Sequence, residues 1–278
     1  MPFSAKVGFF SQQATGGGGA TNWDPSQITT QAWVKAEASE LTLSGTNVTS
    51  WNNKANGTNT VDYSNATSSE QPTWDSGDGH VLFDGVDDYL QADSAFSFTS
   101  NEAIMVVSVI DIVAKSGYFS GVADKFYQQS GPPGGGSSAH GAYSVAAGDS
   151  VGWNNRFNNG ATTFGSAATA TKLLTVGTMG DDAQYQNAEW YLDGTSLTAS
   201  GSSGNTLNMN DAYSYLGGGP GGGSNQFMYA NVKMYELVCL EDNSTTNRQL
   251  LEGYMAWEHG IQSRLPSDHP YKNARPTV

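Results

Sequence analysis

The chain is nearly devoid of cysteine and poor in charge, and its charge is lopsided. A single cysteine, Cys239, stands among 278 residues. It excludes an intrachain disulfide, and its place in the apolar run from Tyr235 to Leu240 predicts a buried, unreactive thiol of the kind that fits cytoplasmic folding or assembly. Only 12 Lys and Arg oppose 26 Asp and Glu, for a net charge of −14. Phosphate backbones are neutralised by clustered basic side chains, so nucleic acid and anionic membrane surfaces are poor partners. Long apolar runs are missing too. The N-terminus offers one lysine and then Val7-Gly8-Phe9-Phe10, far short of a secretory signal, and no stretch matches a spanning helix, so no membrane insertion is expected. The histidines His80, His140, His259 and His269 are scattered without helical metal spacing, which argues against zinc.

What the chain has is glycine, 34 residues of it, with much Ser, Thr and Asn between short apolar runs. This is the composition of one large all-β domain with long loops. The runs at 104–113, 143–151, 173–179 and 232–240 are strand-like and separated by turn clusters, predicting a sandwich of two antiparallel sheets. In residues 71–90 a Pro-Thr start leads to Val81 and Phe83 alternating with Leu82. Asp84-Gly85 follows, then Tyr89-Leu90, which reads as a β-hairpin turning at Asp84-Gly85. Asp193-Gly194, after the run 189–192, supplies the positive φ angles of a two-residue turn. Glycine-rich loops at 131–138 and 217–224 lack the Lys-Ser/Thr and following helix of a phosphate loop.

Three parts follow from the pattern. Residues 1–22 form an arm that ends in four consecutive glycines, a hinge with almost no conformational preference. Its Phe3, Phe9 and Phe10 have no use in a solvated linker and predict docking on a neighbouring protein or on the body. The body spans 23–265. At its end the period changes to helical over about 244–260: Leu250, Leu251, Tyr254, Trp257 and Ile261 share one face, Asn243 or Thr245 caps it and Gly260 stops it, with Glu258 on the solvent side. Residues 266–278 carry closely spaced prolines and predict an extended tail.

The phrase from Phe83 to Leu90, the Trp190 to Thr195 strand and turn, Tyr215-Leu216-Gly217-Gly218 and the late run 227–240 occur in the order found in concanavalin A-like (laminin G-type) lectin/glucanase jelly rolls, which the chain resembles over about 33–240. The ending from Leu250 to Pro276 resembles that of bacteriophage virion proteins of the lectin-like class. Together these resemblances imply a jelly roll with a C-terminal helix, serving as a non-enzymatic phage structural protein on the particle exterior, as capsid decoration, fibre or tail component. It would be assembled in the host cytoplasm, docked through its arm on other virion proteins, and homo-oligomeric in the particle. The alternative is an adhesin for host-surface glycans; a glycan-cleaving enzyme is a further alternative.

Candidate site residues follow from chemistry. Retaining glucanases of this fold aim Glu and Asp from alternate strand positions into one cleft. No such line exists here; Glu236 stands alone and Asp87-Asp88 and Asp181-Asp182 are adjacent pairs, so no catalytic residue is assigned. Trp153, Asn154, Asn155 and Arg156 are read as a loop whose aromatic stacks a sugar ring, whose amides bind hydroxyls and whose guanidinium clamps an acidic sugar; Tyr185 and Tyr213 are further stacking candidates. Asp75, Asp78, Asp84, Asp87 and Asp88 lie in one predicted hairpin and are the candidate calcium ligands, although Asp-Gly steps also serve tight turns and the spaced EF-type loop is missing. No other cofactor is expected.

Overall fold

A computed structural model describes residues 21–94, 103–113, 127–130, 139–140, 151–157, 160–166, 172–179, 189–201, 212–220 and 227–278. The arm with Phe3, Phe9 and Phe10 lies outside them, as do the run 143–150, Asp181, Asp182 and Tyr185. Among the described residues one α-helix, Thr245–Glu258, accompanies an all-β body. No helix there is long and apolar enough to cross a membrane.

Antiparallel pairing builds the domain. One set of strands runs Thr73–Asp75, His80–Asp84, Asn231–Leu240, Ile104–Ile112, Leu173–Met179, Glu189–Leu192 and Thr195–Leu197, with Ala32–Lys35 also on Asn231–Leu240. A second set contains Asn47–Trp51, Tyr63–Ser64, Leu90–Ala92, Ala212–Leu216 and Tyr127–Ser130. The sets meet through a single residue pair, Asn47 with Thr73. Between them lies an apolar core to which Trp51, Tyr63, Leu90 and Leu216 come from one side and Phe83, Val106, Trp190 and Met234 from the other. This is the sandwich that the alternating runs predict.

The strand Ile104–Ile112 is apolar at nearly every position because both its faces are covered. Val106 and Ile110 face the sandwich core, while Met105, Val107 and Val109 join a second core with Leu251, Tyr254 and Met255 of the helix. Asn231–Leu240 also serves both cores. A register shift between Met234 and Glu236 inserts one residue, so Met234 and Leu237 both reach the sandwich core while Tyr235 turns toward the helix side. Cys239 is free and buried.

Two local expectations change. The hairpin within residues 71–90 closes earlier, Thr73–Asp75 pairing with His80–Asp84. Leu90–Ala92 instead pairs with Ala212–Leu216 and Tyr63–Ser64, so the Asp84-Gly85 turn carries the chain from one sheet to the other. Asp-Gly chemistry serves either geometry, which is why the sequence does not separate them. The Asp193-Gly194 turn is as expected, with φ of 48° and 80° between paired strands. The helix cap is Ser244, whose side chain accepts from Asn247 N–H, rather than Asn243 or Thr245. Gly260, at φ 70°, ends the helix as expected, and Ile261 N–H reaches back to Ala256 C=O at 2.8 Å.

The helix is not a simple amphipath. Arg248 and Glu252 are buried on it along with Leu251, Tyr254 and Met255, whereas Trp257 is half-buried. Glu258 does not face solvent freely; it pairs with Lys35 at 2.8 Å and Arg275 at 2.7 Å. The residues after the helix run in turns and bends rather than extended. They are tied down where Trp257 Nε1–H donates to Tyr271 C=O at 2.8 Å and where Thr277 bridges Asn22.

Candidate ligand and cation sites

The five aspartates proposed from the sequence separate into three roles. Asp75 caps its own turn, its carboxylate accepting from Gly77 N–H at 2.8 Å. Asp84, Asp87 and Asp88 come together at the crossover, with one carboxylate oxygen of each within 4.8 Å of the others. Asp84 accepts from Val86 N–H at 2.7 Å, and the Asp84 N–H donates to Asp88 at 2.9 Å. Burial, reinforced by the Asp84 and Asp87 charges, pushes the Asp88 carboxyl up to about 6. Three converging carboxylates are the donor chemistry a hard divalent cation takes, with further oxygens needed to complete its shell.

Asp78 goes elsewhere. From the turn of the Thr73–Asp75/His80–Asp84 hairpin it reaches over the helix-side face of the sheet and accepts from Tyr235 O–H at 2.8 Å. His80 Nδ1 stands 3.3 Å away, and the Lys172 and Lys233 ammonium groups each lie at 3.7 Å. The Tyr235 hydrogen bond, aided by the lysines and His80, holds the Asp78 carboxyl below its ordinary value. Burial and the Lys233 charge hold His80 below its own. Beneath them Asp111 takes the other approach to Tyr235 O–H, at 3.0 Å. The sequence could not show this group, because its members come from three strands, a turn and the bend before Leu173–Met179, most of them distant along the chain.

Two buried carboxylates serve the fold. Glu236 and Glu252 have no exposed surface. Trp33 Nε1–H donates to Glu236 at 2.8 Å, Tyr254 O–H at 3.1 Å, and His259 Nε2 lies at 2.9 Å. Arg248 holds both Glu252 oxygens at 2.9 and 2.8 Å, and His269 Nε2 adds a contact at 3.1 Å. Carboxylates sealed in this way join helix to sheet and tail to helix.

The predicted Trp153, Asn154, Asn155 and Arg156 loop is instead part of a strand, Val151–Phe157, paired in register with Gly160–Ser166. Val, Trp and Phe at 151, 153 and 157 alternate as a strand requires, and Asn154-Asn155 between them, with Asn158-Asn159 after them, masked that period. Tyr213 also lies in a strand, Ala212–Leu216.

The fold thus defines an all-β sandwich with a helix against the outer face of one sheet. No protein-family model matches the sequence, and no curated protein matches it. Among solved structures, the sialidase of Trypanosoma rangeli in complex with 2,3-difluorosialic acid is similar with a TM-score of 0.52 at 16% identity, over 88% of this chain and 37% of that one. The same enzyme with sialic acid gives 0.47 at 17% identity, over 87% and 36%. The binding domain of botulinum neurotoxin serotype D/C gives 0.41 at 7%, over 82% and 52%. The chain spans about a third of the sialidase's length, and the likeness at this identity is one of fold.

Proposed function

We propose that the chain is a carbohydrate-binding β-sandwich module that holds glycans without cleaving them. The observation that carries this reading is the fold, which follows over 88% of the chain that of a sialidase bound to a sialic-acid derivative. A shared fold hosts many functions, so the sugar is this chain's own proposal. The non-catalytic half of the reading is supported by the missing alternating-carboxylate line and by the burial of Glu236 and Glu252 at 0% exposure. A calcium ion on Asp84, Asp87 and Asp88 would brace the crossover between sheets. The test is a panel of sialylated, uronate-containing and neutral glycans incubated with purified protein: saturable binding without release of reducing ends is the expected result.

The setting in which the module is displayed is a second proposal. It is the exterior of a phage particle, where the chain docks on other virion proteins through Phe3, Phe9 and Phe10 and forms a homo-oligomer. The observation favouring it is that residues of the phage-like C-terminal line, Glu252, His259, His269 and Arg275, all make side-chain polar contacts that close this fold, so the line has a structural task here. Deleting residues 1–20, which spares the contacts of Thr21 and Asn22 with the C-terminal segment, should leave thermal stability nearly unchanged and abolish incorporation into particles. Retained incorporation would remove the docking role.

A further inference from the structure

The geometry points to a binding site for the carboxylate of an acidic sugar at the Lys172, Lys233 and His80 cluster beside Tyr235, filled in this structure by the chain's own Asp78. The inference rests on the glycan-binding reading and names the sugar class and the subsite.

Four observations converge. In a chain with 12 basic residues against 26 acidic ones, two lysines are brought to 3.7 Å from one carboxylate. A third donor, Tyr235 O–H, meets that carboxylate at 2.8 Å. His80 is 2% exposed and aims Nδ1 at the same place from 3.3 Å, yet this buried nitrogen makes no hydrogen bond. It is a polar atom with a position but no satisfied partner, as a site awaiting another oxygen would have.

The backbone supports the same reading. Lys172 has φ 55°, a conformation that is strained for a side-chain-bearing residue and persists only where its surroundings impose it. Asp193, the other non-glycine residue with positive φ among those described, is explained by its two-residue turn. Lys172 is held otherwise: its N–H donates to Asp111 and its C=O accepts from Arg264. The result carries the ammonium across the Tyr235 ring, 4.6 Å from the centroid, to the Asp78 carboxylate.

Asp78 is suited to leave. Its side chain is 44% exposed and rides on a turn, whereas Tyr235 is 1% and Asp111 8% exposed. The Tyr235 hydroxyl has one proton and two carboxylates within reach, at 2.8 and 3.0 Å, so departure of Asp78 leaves it bonded to Asp111. An incoming carboxylate would take the lysines and the free His80 nitrogen, with its ring against the turn. Asp78 then acts as a tethered competitor, present at the effective millimolar concentration of a short linkage.

The test is calorimetric titration of the full chain with glucuronic acid and N-acetylneuraminic acid, with glucose as the neutral counterpart. Asp78→Ala should bind both acids at least tenfold more tightly than the wild type. The added change Lys233→Ala should remove that gain, and glucose should respond to neither change. Asp78→Asn, which keeps an acceptor for Tyr235 but drops the charge, should show the same gain if the alanine variant folds poorly. Equal acid affinity in wild type and in either folded Asp78 variant overturns the inference, as does a gain that survives Lys233→Ala. Wild-type binding of neutral glycans that ignores both positions would leave the glycan-binding reading standing and remove this site alone.

Discussion

His269 Nε2 lies 3.1 Å from the carboxylate of Glu252, so the post-helix segment is locked to the helix through a group with no exposed surface. Arg248 completes the cluster, its guanidinium 3.9 Å from the Tyr191 ring centroid. The lock thereby joins tail, helix and sheet. Removing one partner of such a buried pair leaves an uncompensated charge, so Glu252→Ala should cost about 3–5 kcal/mol in chemical denaturation. A loss below about 1 kcal/mol would show that the cluster does not hold the tail.

Glu258→Ala should be mildly destabilising, by about 1 kcal/mol, because it frees both Lys35 and Arg275 at a half-buried position. Lys35 is itself held above its ordinary value, burial being outweighed by the hydrogen bonds its ammonium donates to Glu258 and Glu37. Denaturation of Glu258→Ala and Lys35→Met singly and together gives the coupling; additive losses would show that the pair does not interact.

Gly217→Ala should be among the most damaging single changes. At φ 74° a Cβ there would sit 1.8 Å from Phe83 Cδ1, so strain and overpacking add to about 3 kcal/mol or more. Melting temperature reports it directly, and Phe83→Ala in the same background should recover none of the backbone strain.

In chelator, Asp88 should make the fold relatively more stable as pH falls from neutrality. Its carboxyl is raised to about 6 in the folded state, above an unfolded value near 4. Between those values the folded state binds the extra proton, and stability rises as pH drops through about 6. His80, held low, acts in the opposite sense, so the readout is the difference between wild type and Asp88→Asn across pH 7 to 4.5. That difference should shrink toward acid. Millimolar calcium should raise the wild-type melting temperature at pH 7 and leave Asp88→Asn unmoved; no calcium effect on either would remove the cation reading.

Much of the architecture is legible in the sequence, and for physical reasons. The strands Leu173–Met179 and Asn231–Leu240 are mostly β-branched and apolar, and Asp193-Gly194 has only one economical use between two strands. The crossover at Asp84-Gly85 is not legible, because the turn chemistry is the same whether the chain pairs back or crosses to the other sheet. Arg248 and Glu252 read on a helix as an ordinary solvent-facing pair four residues apart; only the sheet packed over them makes them buried. The candidate site was legible in part. Asp84, Asp87 and Asp88 are close in sequence and stay close in space, whereas Asp78 finds partners at positions 172, 233 and 235 that only strand pairing brings near. The Trp153 to Arg156 segment misled because its asparagines look like a turn while its apolar positions keep strand period.

The most direct test of the glycan-binding reading is titration of the purified full chain with sialylated, uronate-containing and neutral oligosaccharides, with reducing ends assayed in the same samples. Saturable binding is expected, with no release of reducing ends over extended incubation. Absence of saturable binding to every glycan at millimolar concentration would contradict the reading, as would cleavage that one Asp or Glu substitution abolishes.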